Sequence, residues 1–248
     1  MELQDLVSTV ATVIAAVDVR PPRPQKPAYI PSVGTITEDQ LRDAVRAHIN
    51  DQKPPTWWAQ PEVPYQDTAG ARCDLVITPI SGEAHRSWAI EFKKIAFVGD
   101  NGKNNDFGPS KVLSPYPIHR SSILDARRLE TERPAARGAV IMYGFDFDAD
   151  VVASAYATCE RLGIEDTRAR ELQRTLDRNG GDYYVDATFR VFDVVARELG
   201  CRLSQQRANA SFGPLSAHPI YRRGAVAAWE VLGTWRPPSA PLRFEFDG

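Results

Sequence analysis

The chain has 248 residues, of which 43% are hydrophobic and 25% charged, and its formal net charge is −2. These values fit a globular chain long enough to bury a sizeable core, and exclude a fibre, a disordered chain or a membrane protein as whole-chain readings. With 30 Lys+Arg against 32 Asp+Glu, a nucleic-acid partner requires a local basic patch and cannot be argued from bulk charge.

Cys73, Cys159 and Cys201 lie far apart and form no CxxC or CxxH spacing, which argues against both a zinc knuckle and a disulfide framework. A reducing, cytoplasmic compartment is expected. The apolar run from Leu6 to Val17 is too short to cross a bilayer and follows Glu2 and Asp5 instead of basic residues, so neither export nor insertion is expected.

Leu3, Leu6, Val7, Val10, Val13, Ile14 and Val17 recur at three- and four-residue steps and predict a helix over residues 1–19. Its apolar stripe must dock on the body of the protein or on a second copy in a homodimer. Five prolines between Pro21 and Pro31 predict an extended connector over residues 20–34, with the main domain covering 35–248. Thr37 and Gln40 have capping-box spacing, and Leu41, Ala44, Val45, His48 and Ile49 form the apolar face of the helix that follows. His48 is thereby expected in the core. Glu62 to Gln66 reads as a short edge strand because Pro64 interrupts it. Trp57 and Trp58 just before it are expected to pack against the proline-rich segments, with base stacking as the alternative.

Asp74–Ile80 and Ser87–Phe97 read as two strands joined by a polar turn at Ser81-Gly82-Glu83. A long Gly/Asn/Pro-rich stretch, Gly99 to Pro117, follows. Further along, residues 119–132 predict a helix and 139–145 a strand buried on both faces. Helices are expected over 151–162, 169–177 and 189–199, and strands over 225–232 and 242–246. The order describes a mixed α/β domain, a β-sheet flanked by helices.

Chemistry concentrates in Arg72-Cys73-Asp74-Leu75-Val76-Ile77-Thr78 and Trp88-Ala89-Ile90-Glu91-Phe92-Lys93-Lys94. Alternation puts Glu91 and Lys93 on one face of a strand, with Ile90 and Phe92 on the other. Charges in an apolar strand are costly unless they are paired or bind a metal. The hairpin partner strand starts at Asp74, which can lie beside Glu91. Two converging carboxylates repel, and a divalent cation such as Mg²⁺ removes that repulsion. A lysine beside a metal-activated water can orient it, accept its proton, or offset charge on a phosphorane. Such equipment suits phosphodiester hydrolysis.

Asp74 followed seventeen residues later by Glu91-Phe92-Lys93, on a strand–turn–strand after a helix, resembles the PD-(D/E)XK nuclease superfamily over about residues 36–146. The resemblance implies a restriction-endonuclease-like core, with Asp74, Glu91 and the Phe92 carbonyl as metal ligands and Lys93 as the catalytic lysine. Glu38 matches the glutamate that many members carry on the first core helix, and its spacing to Leu41 and Val45 puts it on the buried face. Cys73 stands where the family pattern has proline. The implied activity is a DNA endonuclease dependent on Mg²⁺, with Mn²⁺ as a substitute, in restriction or genome defence and with or without a partner subunit. The alternatives are a non-catalytic DNA-binding or assembly subunit that retains the fold, and a metal-dependent enzyme acting on another substrate.

From Lys93 to Arg120 the chain carries five basic residues (Lys93, Lys94, Lys103, Lys111 and Arg120) against Asp100 and Asp106. Lys94, Lys103, Lys111 and Arg120 are accordingly candidates for phosphate contacts. On the next helix, Arg127 and Arg128 either touch DNA or pair with Asp125 and Glu130 at helical spacing. His218 to Arg223 reads as a turn entering a strand, His85 as exposed, and Asp146, Asp148 and Asp150 as acids at a helix start.

Overall fold

The computed structural model describes residues 1–22, 31–95, 112–114, 121–147, 149–178, 184–218 and 220–233. Helices α1 (Leu3–Val19) and α2 (Glu38–Asn50) precede strands β1 (Trp57–Pro64), β2 (Arg72–Pro79) and β3 (Trp88–Ile95). Helix α3 (Ser122–Glu132) then crosses to β4 (Arg137–Asp146). Helices α4 (Ala149–Leu162), α5 (Thr167–Arg178) and α6 (Tyr184–Glu198) lead to β5 (Ala208–Phe212) and β6 (Arg223–Val231). The strands form one six-stranded mixed sheet in the order β1-β2-β3-β4-β6-β5. Only the β3–β4 pair is parallel, as a crossover through a helix requires.

The sheet separates two apolar layers. On one face Leu6, Val10, Ile14, Leu41, Val45 and Ile49 of α1 and α2 cover Ile90, Phe92, Ile141 and Ala228. On the other, Ile123, Ala126 and Leu129 of α3 and Phe189 and Phe192 of α6 cover Ala89, Val140, Met142 and Trp229. The stripe of α1 packs on its own chain, in the same core as α2. Thr37 starts α2 as its spacing predicts: its hydroxyl accepts from Gln40 N at 3.1 Å, and Gln40 Oε1 accepts from Thr37 N at 3.0 Å.

Several expectations are corrected. His48 is exposed, since the buried face of α2 is carried by Leu41, Val45 and Ile49. β1 is an edge strand as Pro64 suggests, but it begins at Trp57, with Trp57 buried in the core and Trp58 exposed. Asp146 lies in β4, and its carboxylate accepts from Val185 N at the start of α6, so the helix it serves is distant in sequence. Asp150 does lie in the first turn of α4. Strand β5 has no counterpart among the predicted elements. His218 occupies the expected turn, its Nδ1 accepting from the backbone of Ile220 and Tyr221, and His85 is exposed. Asp148, the segment 242–246 and most of the 99–117 stretch lie outside the described residues.

Candidate active site

The β3–β4 ladder runs through eight residue pairs, whereas the β2–β3 ladder has three and ends at Leu75↔Ile90. One step further the same register would set Asp74 opposite Glu91, but there the strands part. Phe92 N donates to the Asp74 side chain, Oδ2, at 2.7 Å, in place of a backbone carbonyl. The partner strand is also distorted at this level. Glu62, between the paired residues Pro61 and Val63, has a φ of 54°, a left-handed conformation that is costly outside glycine. Alternation breaks on both strands here: Ala59 and Leu75 belong to the α1/α2 layer, Val63 and Cys73 to the α3/α6 layer. Arg42 of α2 spans the kink by pairing with Glu62.

Into this opening project Asp74, Glu91 and Lys93, on the face covered by α3. Glu91 and Asp125 are each 4% exposed and Lys93 9%, so none of these charges is supported by bulk water. Asp74 and Glu91 are hydrogen-bonded to each other. Burial raises the pKa of Asp74 to about 6, against the pull of the Phe92 amide. Glu91 is pushed further, well above the usual carboxylate range, first by burial and then by the charges of Asp125 and Asp74. Protonation is thus favoured on both carboxylates, and more strongly on Glu91. Tyr65, just past β1, donates a 2.5 Å hydrogen bond to Glu91 Oε1.

Lys93 Nζ lies 3.1 Å from Asp125 Oδ2 and 3.9 Å from Glu38 Oε2. Burial works against the ammonium, but the Asp125 and Glu38 carboxylates outweigh it and hold the pKa above the ordinary lysine value. Asp125 also pairs with Arg128 at 3.5 Å, and the Arg128 guanidinium sits 5.3 Å from the centroid of the Tyr65 ring. The contacts therefore run in a chain: Glu91 to Tyr65, Tyr65 to Arg128, Arg128 to Asp125, Asp125 to Lys93. Sequence spacing anticipated the Asp125–Arg128 pair but not the reach of Asp125 to Lys93. Tyr65 carried no signal, because its contact with Glu91 spans a turn and two strands.

Glu38 is the first residue of α2. Its Oε1 accepts from Lys94 N at 2.9 Å while Oε2 turns toward Lys93. Lys94 points to the opposite face, where its ammonium donates to the carbonyl oxygens of Gly34 and Ile36. That placement makes it a tether between β3 and the segment before α2 and does not favour a phosphate contact. Lys103, Lys111 and Arg120 lie outside the described residues. Of the two arginines on α3, Arg127 donates to Leu199 O at 2.8 Å and Arg128 belongs to the chain of contacts above. Glu130 pairs not with an α3 arginine but with Arg202.

Among the described residues no group of three or more His, Cys, Asp or Glu side chains stands arranged as a metal cage. Two carboxylates with a backbone carbonyl nonetheless match the chemistry of Mg²⁺, a hard cation that usually keeps several waters and takes one or two carboxylates. Asp74 and Glu91 each raise the cost of the other's charge, and a bound cation would offset that repulsion. Comparison with known protein families, curated proteins and solved structures finds no match. No helix among the described residues is long and apolar enough to cross a membrane.

Proposed function

We propose that the protein is a divalent-cation-dependent phosphodiesterase acting on DNA, built on a restriction-endonuclease-like core. The observation that carries this reading is the convergence of Asp74, Glu91 and a charged Lys93 in the opening between β2 and β3. The order helix, three antiparallel strands, helix, parallel strand supports it, being the order the resemblance implies.

Asp74, Glu91 and the Phe92 carbonyl would hold the cation, which when bound supplies Lewis acidity to a water and to a phosphate oxygen. The chain's own groups have distinct tasks. Tyr65 fixes Glu91 by its short hydrogen bond, and the Phe92 amide fixes Asp74. Lys93, kept protonated by Asp125 and Glu38, is the wrong species for a general base. Its role is to offset negative charge as it grows on the phosphate oxygens and to orient the attacking water. Glu38, held at the rim by the Lys94 amide, steers the ammonium toward that region.

The test is cleavage of supercoiled plasmid and single-stranded DNA with Mg²⁺ or Mn²⁺ by the wild type, Glu91→Ala and Lys93→Ala. Cleavage by the wild type, abolished by EDTA and by both substitutions, is the expected result. Cleavage that survives both substitutions would remove the site from the reaction. No cleavage of unmodified, methylated or phage-derived DNA would transfer the reading to a non-catalytic subunit that keeps the fold.

A further inference from the structure

A second feature lies on the same face of the sheet as Glu91 and Lys93. A cavity of about 860 Å³ opens between the start of α6 and strands β5 and β6. Asn209, Ser211 and Ala225 lie on its sheet side, Asp186 and Phe189 come from α6, and Arg207, Arg222 and Arg223 also line it.

The charges around the cavity are unequal. Its lining carries Arg207, Arg222 and Arg223 against Asp146 and Asp186. Asp146 already caps α6 through Val185 N, and Asp186 is shared between Arg190 and Arg207. Arg207 also lies over the Phe189 ring, 5.6 Å from its centroid, beside an apolar wall. A guanidinium presents five N–H donors, so pairing with one carboxylate leaves Arg207 with donors for a second anion. An arginine-rich rim above an apolar wall, with an exposed amide and hydroxyl on the floor, matches a phosphate with an attached base or sugar better than it matches an apolar ligand.

Register locates the cavity relative to the carboxylate site. Lys93 pairs with Met142 and Met142 with Ala227, while Arg223 is four residues further along β6. Two strand spacings across and four residues along give about 16 Å. That span corresponds to roughly five nucleotides at the rise of one strand of a duplex. One polymer chain could therefore engage both places at once.

We propose that this cavity is a nucleic-acid subsite, which takes a backbone phosphate of the same DNA strand several nucleotides away from the bond at the carboxylate site. The proposal rests on the reading of that site as one that acts on DNA. Its test leaves the arginines in place and changes the exposed floor: Asn209→Glu, with Ser211→Glu as an independent second variant. Each introduces a carboxylate that competes with phosphate for Arg207. Binding of a fluorescein-labelled single-stranded 20-mer and of its duplex is followed by anisotropy in EDTA, where no cleavage occurs, over a range of salt concentrations. Thermal melting of both variants reports that the fold is kept.

The expected result is about tenfold weaker binding in both variants and a salt dependence that is shallower by about one unit of log K per log salt, the loss of one phosphate contact. Unchanged binding and slope in both folded variants would overturn the subsite while leaving cleavage through Glu91 and Lys93 untouched. Weakened binding in a protein that never cleaves would uphold the subsite and remove the catalytic reading. Stabilisation of the wild type by inorganic phosphate, lost in the variants without any change in oligonucleotide binding, would make the cavity a small-anion site and overturn the polymer assignment.

Discussion

Asp125 of α3 and Lys93 of β3 form a buried ion pair, 3.1 Å between Oδ2 and Nζ, and this pair decides which protonation state the lysine brings to the site. Asp125 is the largest influence opposing burial, which by itself would lower the lysine pKa and favour the neutral amine, and Glu38 adds to it. The helix that closes the crossover between the parallel strands thus also keeps the lysine charged.

Asp125→Asn should therefore move a pH profile. In the wild type the ammonium persists through the alkaline range, so the proposed cleavage should show no downturn attributable to Lys93 up to about pH 9. The Asn variant lowers the lysine pKa and should bring such a downturn to lower pH, with activity at pH 8 reduced about tenfold. An unaltered profile would mean that Asp125 only packs. Asp125→Ala removes one partner of a buried pair and should cost about 3 kcal/mol. For a chain of this size that is a drop of roughly 6–12 °C in melting temperature.

The carboxylate pair predicts the opposite sign. Asp74 titrates at about 6 in the folded chain against 3.8 ordinarily, because burial favours its neutral form. Between those values the folded chain holds a proton that the unfolded chain has lost, so without metal, stability falls as pH rises from about 4 to about 6. The raised Glu91 and Asp125 act in the same direction. Asp74→Asn should remove part of the slope and stabilise the metal-free protein at pH 7 by about 1–3 kcal/mol. Melting in EDTA across this range checks it; a variant less stable than wild type at pH 7 would contradict the electrostatic account. Mg²⁺ at pH 7 should raise the melting temperature of the wild type and not of Asp74→Asn.

Much of this site was legible because strands alternate. Two-residue periodicity is enough to bring Glu91 and Lys93 to one face, and the hairpin spacing suggested Asp74 beside Glu91. Thr37 and Gln40 likewise signal the helix start locally, which placed Glu38. What escaped depends on long-range packing. Asp125 has a nearer partner in Arg128 at helical spacing, so nothing local distinguishes it as the lysine's counter-ion. Strand β5 reads Ala-Asn-Ala-Ser-Phe, too short and too weak in β-formers to stand out, and it exists because β6 offers a free edge. The N-terminal helix had two possible surfaces to cover, and only the assembled sheet selects between them.

Tyr65→Phe isolates one hydrogen bond. The ring keeps its contact with Arg128, while Glu91 Oε1 loses its donor. Removal of a group that orients a ligating carboxylate should weaken Mg²⁺ binding about tenfold. Titration calorimetry on the intact chain, with Glu91→Gln as the non-binding control, measures this. Equal affinities in wild type and Tyr65→Phe would assign Tyr65 to packing alone. The stability cost should be modest, about 1–2 kcal/mol.

Two glycines on adjacent strands make a steric pair. At Gly224 a Cβ would lie 2.1 Å from Gly144 O, whereas at Gly138 the closest neighbour is Leu129 Cβ at 3.4 Å. Gly224→Ala should lower stability by about 3 kcal/mol or more, because backbone must move. Gly138→Ala should change it by less than about 1 kcal/mol. Comparable denaturation midpoints for the two variants would contradict the register between β4 and β6.

The short ladder between β2 and β3 has one more consequence. Because the Phe92 amide is bound by the Asp74 carboxylate and not by a strand, one backbone N–H reports directly on the electrostatic state of the site. Its nitrogen resonance should shift with Asp74 titration near pH 6 and again when a cation binds at the carboxylates, while amides two residues earlier in β3 stay still. The place where the sheet comes apart is thus a spectroscopic probe already wired to the chemistry, requiring no label beyond ¹⁵N.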